Sequence, residues 1–491
     1  MRKELFLALS LLCLTLGAKA QSLSASIGPE SKDLYYRSAI QTTVIGEDPS
    51  TVLMITRQCN HFLQGMTNPD LAFRRTDKAL NTIQEATIEN SKESEFFGYG
   101  ISDSTASVLM CDRSRKQTQL SRTTIDRKSF GILKSEVIHT FNLERKSEHH
   151  LWHQTSDNGQ YTAVVSIQLN HNDELICDLM MFDNQMNILW DIQHGLKGVT
   201  DLFVSDHGEL YVMSMNRKAM ETTIYIDKIN SKHAISAQMV IPDGLNSGLI
   251  ANVIDDRILI GGTLRYAEAH RNELSSNGLF GLCYDLKSQQ IVKLSMTQLH
   301  HDDMAVLTDK KQSAKIRKTV VDDLIIDQTC ATSFGGVFTF TRPFAIQKTS
   351  SNGETTQYFS RIGLVVLAMD ANGDLLFKVP IRHYQMQLND SDQLTTPLFS
   401  DGKNVYLIQT EHPKTDPSYN IAKRTDCVRV MHDKVNTALY TINPTGEVSK
   451  KVLINKHKSL ITGQCHTWYN DNYILFHTTG KTSQVLQLKR Q

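Results

Sequence analysis

The chain has 491 residues, 52 basic and 52 acidic side chains, and a 40% hydrophobic content. A balanced charge gives no electrostatic footprint for nucleic acid or for an anionic lipid surface, so neither is expected as a partner. Beyond the first twenty residues no run is long and apolar enough to span a bilayer, which needs about 20 residues.

Met1-Arg2-Lys3-Glu4 is followed by an apolar run from Leu5 to Leu16 and by Ala18-Lys19-Ala20 before Gln21. A basic start, an apolar stretch of about a dozen residues and an A-x-A end describe a secretory signal peptide over residues 1–20. The expectation is an exported protein, periplasmic or extracellular, with a mature part over residues 21–491. Removing Arg2, Lys3, Lys19 and Glu4 takes the two totals of 52 to 49 basic and 51 acidic side chains, so the mature chain stays balanced.

Past the leader, Tyr35–Val44 and Val52–Arg57 read as strands around a turn at Glu47-Asp48-Pro49. Asn68-Pro69-Asp70 has the order of a helix start, with a cap, a first-turn proline and an acid at the positive end of the dipole. Leu71, Leu80, Ile83 and Ile88 supply a loose helical stripe, which predicts a short helical excursion over residues 66–92.

From Phe96 onward hairpins dominate. Between Leu151 and Ile229 one unit occurs twice. The first copy holds strands at Tyr161–Leu169 and Leu175–Phe182 and a last apolar run at Ile188-Leu189-Trp190; the second holds Asp201–Val204, Glu209–Met215 and Thr222–Ile226. Turns rich in Asp, Asn and Gly close these runs, as antiparallel hairpins require. An apolar strand ending near Asp or Asn recurs at Cys111-Asp112, Phe182-Asp183, Ile226-Asp227, Tyr284-Asp285, Met369-Asp370 and Ile442-Asn443. About 40–50 residues make one four-stranded blade. The longer spacings therefore carry insertions, at Arg265–Gly278, Leu299–Thr319, Phe344–Gln357 and Glu411–Lys434.

The predicted fold is all-β: a single β-propeller domain of about seven four-stranded blades, with six and eight both possible. The C-terminal piece, Cys465–Leu488, is short for a blade. Pairing it with the strand near Tyr35–Val44 would close the ring and remove an exposed sheet edge.

Phe182-Asp183-Asn184-Gln185-Met186-Asn187-Ile188-Leu189-Trp190-Asp191 resembles the outer hairpin of WD40-type and quinoprotein-type propeller repeats, and Met369–Phe377 matches it in register. The resemblance implies an exported bacterial propeller, of the kind found in Gram-negative envelopes. It is a likeness of fold, and a shared fold does not carry a shared activity. The Thr-Gly pairs of quinoprotein repeats and the Gly-His pairs of WD40 repeats do not occur in register.

The mature chain keeps seven cysteines: Cys59, Cys111, Cys177, Cys283, Cys330, Cys427 and Cys465. The odd count and the absence of a C-x-x-C pair argue against a disulfide framework and a structural zinc site. Cys111, Cys177 and Cys283 share a context that suits a small, buried strand position, and a single disulfide among the more distant cysteines stays open.

Other patterns have simple explanations. Asp370-Ala371-Asn372-Gly373-Asp374 spaces oxygens as a Ca²⁺ loop does, but its glycine and twelfth position do not fit. Asn-Gly favours a hairpin turn there. Thr155-x-Asp157-x-Gly159 resembles half of the Asp-box turn of sialidases. His300-His301-Asp302-Asp303 and His149-His150 are clusters of metal-ligand residue types, though adjacent strand residues point to opposite faces. Arg74-Arg75, Lys310-Lys311 and Lys315–Lys318 read as solvated faces, without aromatics for base stacking. Gly261-Gly262 and Gly335-Gly336 sit inside strand patterns, where glycine permits close backbone approach.

No catalytic residue, cofactor site or metal site is assigned from these patterns. The expected function is a monomeric scaffold or binding module, engaging a macromolecular partner, protein or glycan, through loops on one propeller face. The alternative is a carbohydrate-active hydrolase or lyase, with two carboxylates at the channel as glycoside chemistry requires. A carboxylate pair in a cleft with raised pKa values would favour the enzyme.

Overall fold

The computed structural model describes residues 23–27, 39–48, 51–59, 71–77, 81–88, 94–114, 116–143, 149–156, 159–169, 175–196, 199–218, 221–230, 234–242, 250–254, 256–264, 275–308, 321–322, 324–349, 355–388, 394, 396–420, 427–429, 433–457, 460–469, 472–478 and 483–490. The leader expected over residues 1–20, the helix start at Asn68-Pro69-Asp70 and Lys310 to Lys318 lie outside the described residues.

Short runs rich in Val, Ile, Thr and aromatics form antiparallel sheets in chain order. Blade 1 holds Ala39–Asp48, Thr51–Cys59, Leu71–Thr76 and Thr82–Ile88; blade 2 holds Ser94–Ile101, Thr105–Arg113, Gln117–Asp126 and Ile132–Asn142. Blade 3 follows with His150–Thr155, Tyr161–Leu169, Leu175–Asp183 and Ile188–His194. Blade 4 has Asp201–Val204, Leu210–Lys218, Glu221–Ile229 and Ala234–Pro242. Blade 5 has Ile250–Ile254, Arg257–Leu264, Gly278–Asp285 and Gln290–Gln298. Blade 6 is built from Ile325–Thr332, Gly335–Thr349, Thr355–Met369 and Leu375–Leu388, with Val428–Arg429 added in parallel at its edge. Blade 7 has Leu398–Ser400, Val405–Glu411, Val435–Ile442 and Val448–His457. Blade 8 joins Leu460–Tyr469, Asn472–Thr478 and Ser483–Arg490 to the first strand of the chain, Leu23–Ile27. The first strands of blades 2 to 7 lie beside one another in turn, and that of blade 1 lies beside that of blade 8. This is a β-propeller, with eight sheets of four or five strands among the described residues, the upper end of the range that the sequence allowed.

The core is divided among the interfaces between blades. Phe203, Tyr211, Ile224 and Ile226 of blade 4 pack on Ile258, Ile260, Phe280 and Tyr284 of blade 5. Leu259 and Cys283 on the other side of blade 5 meet Phe338, Phe340, Val365 and Met369 of blade 6. The middle strands are covered on both faces, which is why Val405–Glu411 is buried along its whole length and its sequence does not alternate. Each large apolar side chain buried in this way contributes about 1.5–3 kcal/mol. Cys111, Cys177 and Cys283 occupy such strand positions and are 0%, 1% and 0% exposed. Neither they nor Cys330 and Cys427 are joined in a disulfide.

The helix expected over residues 66–92 is not formed: Leu71–Thr76 and Thr82–Ile88 are the third and fourth strands of blade 1. Ile83, the member of the helical stripe whose side chain is described, is 55% exposed, while Phe73, outside the stripe, is buried. The β-branched Thr82, Ile83, Thr87 and Ile88 fit a half-covered outer strand better. Ring closure also differs from expectation. The two ends do pair, but through Leu23–Ile27 against Ser483–Arg490, with Leu23 opposite Arg490 and Ile27 opposite Leu486. Residues 39–48, inside and beyond the strand assigned to closure, pair instead with Thr51–Cys59.

The insertions mark one face. Strands alternate in direction, so the connections from second to third strand, and from one blade's fourth strand to the next blade's first, leave by the same face. Arg265–Gly278 joins the second and third strands of blade 5 and Glu411–Lys434 those of blade 7; in blade 6 most of Phe344–Gln357 is not a loop but the paired ends of the two strands, joined by residues 350–354. Leu299–Thr319 runs from the fourth strand of blade 5 to blade 6. Ser275–Ser276 pairs with Val321–Asp322, tying the first of these segments to the end of the second.

Candidate functional site

Beneath that face, blades 6 and 7 enclose a polar cluster. The second and third strands of blade 6 are 15 residues each and extend well past the ordinary blade edge. At Gly363 the register shifts on both sides and φ is +64°, and an added Cβ would overlap the carbonyl oxygen of Val306. The helix α1 (His301–Leu307), from the Leu299–Thr319 segment, sits on this bulge. Past the bulge the side chains turn polar. Arg361 pairs with Asp327, whose side chain is 6% exposed. His383, Gln385 and Gln409 are 4%, 2% and 0% exposed. Lys450 Nζ lies 2.6 Å from Glu411 Oε2, and the Tyr440 hydroxyl donates to the other carboxylate oxygen.

The charges here are spent on one another, so the cluster's chemistry lies in its neutral groups. Burial, helped by the Arg361 charge, pushes the His383 imidazole down to about 3, with the Gln409 side chain acting the other way. It is a neutral ring at ordinary pH. Burial likewise raises Asp327 and Glu411, against the opposing pull of Arg361 and Lys450. Gln385 Nε2 donates to the Thr410 carbonyl at 3.4 Å. His383 Nε2, Gln385 Oε1, both amide atoms of Gln409 and Ser360 Oγ have no partner among the described residues. An orphaned buried polar atom costs about 1–3 kcal/mol, which makes this the least satisfied polar region of the described chain.

Around the channel, polar side chains link first strands. Asp201 of blade 4 accepts from its own neighbour Leu202 N at 2.9 Å and from Ala251 N of blade 5 at 3.2 Å. Burial pushes its carboxyl up to about 7. Asn252 Nδ2 donates to Thr329 Oγ1 of blade 6 at 3.2 Å.

A third feature lies away from both, in a crevice of about 470 Å³ between the outer strands of blades 2 and 3. Asp178 and Asp191 line it with His139, Phe141 and Gln168. The Asp178 carboxyl is raised, first by burial and then by Asp191, while a hydrogen bond from Gln193 and the proximity of His139 pull it down. This is the carboxylate pair with a raised member that was sought in the sequence, but it is placed at the periphery and not at the channel. Nothing in the sequence singled it out, because Asp178 and Asp191 look like ordinary strand residues.

The patterns noted in the sequence resolve into scaffolding. Asp183, Asp285, Asp370 and Asn443 each open the turn between third and fourth strands. Asp370 Oδ1 accepts from Asn372 N and Asp374 N, both at 2.8 Å, and Gly373 takes φ +85°. The oxygens of the Ca²⁺-like spacing thus serve a hairpin. Two of the recurring positions do not: Asp112 lies within a second strand, the blade 2 turn opening at Asp126, and Asp227 lies before the end of its strand at Ile229. His149 bonds to Thr118 Oγ1 at 2.9 Å and to Ser166 Oγ at 2.8 Å, and burial pushes it down to about 4. Asp303 accepts from His300 N at 2.7 Å at the start of α1 and pairs with Lys378 at 2.6 Å. The alternating charge from Asp302 to Lys318 reads in the sequence as a solvated helix or loop, but the helix buries Asp303, Met304, Val306 and Leu307. Arg75 hydrogen-bonds the carbonyls of Arg127 and Lys128 in the next blade. No group of three or more His, Cys, Asp or Glu among the described residues is placed to hold a metal ion. No helix among them is long and apolar enough to cross a membrane.

No protein-family model matches this sequence, and no curated protein does. Solved structures give only a distant likeness. The β-propeller domain of the Trilobed protease from Pyrococcus furiosus is 11% identical, over 85% of this chain and 96% of that one, with a TM-score of 0.35. The polysaccharide lyase Uly1 is 11% identical over 82% and 94%, with a TM-score of 0.34. The Dos1 propeller is 10% identical over 80% and 92%, at 0.34. Likeness at this level carries no argument about activity.

Proposed function

We propose that this protein is an exported propeller that binds a macromolecular partner, protein or glycan, through the face that carries its four insertions. The observation that supports this reading is their common exit: all four leave one face, over the consecutive blades 5, 6 and 7. Compact propellers connect strands by tight turns, and ordering longer segments costs conformational entropy, so long loops are more often functional than ornamental. A rigid scaffold beneath them is where recognition loops are usually carried. Export rests on the leader-like residues 1–20, and places the partner in the cell envelope or outside the cell.

The test is capture of partners from the native envelope with the tagged mature protein, beside a variant whose 265–274, 350–354 and 421–426 segments are replaced by Gly-Ser linkers of equal length, which leaves every paired strand and the Glu411–Lys450 pair in place. The variant is expected to melt as the parent does and to lose the captured partner. Equal capture by both proteins would overturn the reading. A second reading, a hydrolase or lyase using channel carboxylates, draws on the perturbed Asp201. Turnover of a polysaccharide or glycoside that Asp201→Asn abolishes would establish it in place of the first.

A further inference from the structure

The crevice between blades 2 and 3 lies at strand ends of the same face, but on blades that carry none of the four insertions, and its walls are rich in hydrogen-bond acceptors. We propose that it is a binding site for an aliphatic cation, an alkylammonium or alkylguanidinium group. Asp178, 9% exposed, forms its floor on the third strand of blade 3. Asp191, with a side chain 40% exposed, stands nearer solvent on the adjacent fourth strand. Gln168 is 7% exposed; its Nε2 donates to the Asn142 carbonyl at 3.4 Å, and its Oε1 is buried without a partner. Three acceptor groups therefore converge, with Gln193 the donor to Asp178 and Gln168 Oε1 left without one.

The charge decides what kind of donor fits. The two carboxylates share the crevice, and Asp191 raises the cost of ionising Asp178. Among the described lining residues the one basic group is His139, whose Nδ1 lies 3.4 Å from Asp191 Oδ2, at the mouth and not at the floor. A neutral sugar would supply hydroxyl donors and leave this repulsion in place. An ammonium, with three donors, or a guanidinium, with five in a fork, supplies donors and the missing charge together. Ile176 and the Phe141 ring, tilted against His139 with 4.5 Å between centroids, give an apolar wall for the methylenes that such a group carries. A volume of about 470 Å³ admits an arginine- or agmatine-sized ligand with water around it.

The experiment is calorimetric titration of the folded protein with agmatine, with a blocked Gly-Arg-Gly peptide and with methyl glucoside, at low salt. Saturable binding of agmatine or of the peptide at one site is expected, the better of the two identifying a free amine or a protein side chain as the source. Asp178→Asn combined with Asp191→Asn should weaken that binding at least tenfold, and Gln168→Leu should weaken it severalfold, with melting temperatures at or near that of the parent. Raising salt should weaken binding to the parent and not to the double variant. The proposal is overturned if neither cation binds, if the double variant binds them as the parent does, or if methyl glucoside is the probe that binds.

Discussion

Gly335 and Gly402 both have positive φ, at +150° and +89°, and substituting them should have unequal consequences. An added Cβ at Gly335 would overlap the backbone carbonyl of Met369, which cannot move without parting two strands of blade 6, whereas at Gly402 it meets open space. Gly402→Ala is expected to cost about 1–2 kcal/mol from the left-handed backbone alone, and Gly335→Ala clearly more, both read by chemical denaturation. The doublet at Gly335 was legible in the sequence as a close approach, but Met369, the neighbour that requires it, was not. Two buried titrations should also oppose each other. Asp201, held near 7 when folded against 3.8 in an unfolded chain, contributes stability that is full below pH 4 and lost as pH rises to 7. His383, near 3 when folded against 6.5, contributes stability that is full above pH 6.5 and lost as pH falls towards 3. Each contributes a slope of at most about 1.4 kcal/mol per pH unit. Relative to the parent, Asp201→Asn should therefore make stability rise more steeply with pH between 4 and 6.5, and His383→Gln should make it fall. Denaturation midpoints at three pH values check both signs, and parallel curves for all three proteins would refute the assignment.

Cations that grip the neighbouring blade's outer turn recur along the ring. Arg122, on the third strand of blade 2, donates to the Met186 carbonyl at 3.2 Å and to Asn187 Oδ1 in the turn of blade 3, and to Glu136 at 2.6 Å in its own sheet. Ser295 of blade 5 donates to the Gly373 carbonyl at 2.6 Å, and Lys293 pairs with Asp374 in the same turn. The side chain of Arg122 is 16% exposed, so Arg122→Ala leaves the Met186 carbonyl and Asn187 Oδ1 without this donor, while Glu136 keeps Lys134. A loss of roughly 2–3 kcal/mol is expected. Lys287→Ala breaks an ion pair whose partners are 77% and 53% exposed, and should leave the unfolding midpoint at or near that of the parent. Unfolding midpoints that rank the two variants in the reverse order would show that the clamps do not hold the blades. The turns themselves could be read from Asp183, Asp285 and Asp370, because a turn is a local event. Their clamps could not, since each partner comes from a different blade. The error over residues 66–92 has the same origin: Asn68-Pro69-Asp70 is a sound local start signal, and the outer edge of a sheet overrode the weak helical stripe behind it.

Closure of the ring by five residues is the feature on which the whole molecule depends most. Leu23 is 3% exposed, in a cluster with Leu486, Leu488, Phe399, Tyr406 and Ile408, so one short strand seals both the edge of blade 8 and its interface with blade 7. The alternation of Leu23, Ala25 and Ile27 is too brief to read as a strand in isolation. What the sequence did carry was the deficit at the other end, a last blade with too few residues. In an open chain of sheets each interface could loosen by itself, whereas in a closed ring every blade is held from both sides. Deleting Leu23–Ile27 uncovers the Leu486 and Leu488 side chains and leaves Ser483–Arg490 with unpaired backbone groups, a template for association with other chains. The deletion should lower the melting temperature of the whole protein in one cooperative transition, and should make the sample associate as concentration rises. Leu23→Ala, which keeps the backbone pairing and removes only the buried side chain, is expected to cost about 2–5 kcal/mol. A synthetic peptide of residues 21–30 should restore part of the lost melting temperature in a concentration-dependent way, because a ligand that binds only the folded state stabilises it by mass action. If the deleted protein melts as the parent does, the strand is an ornament and the ring is held by the inner strands of blades 1 and 8 alone.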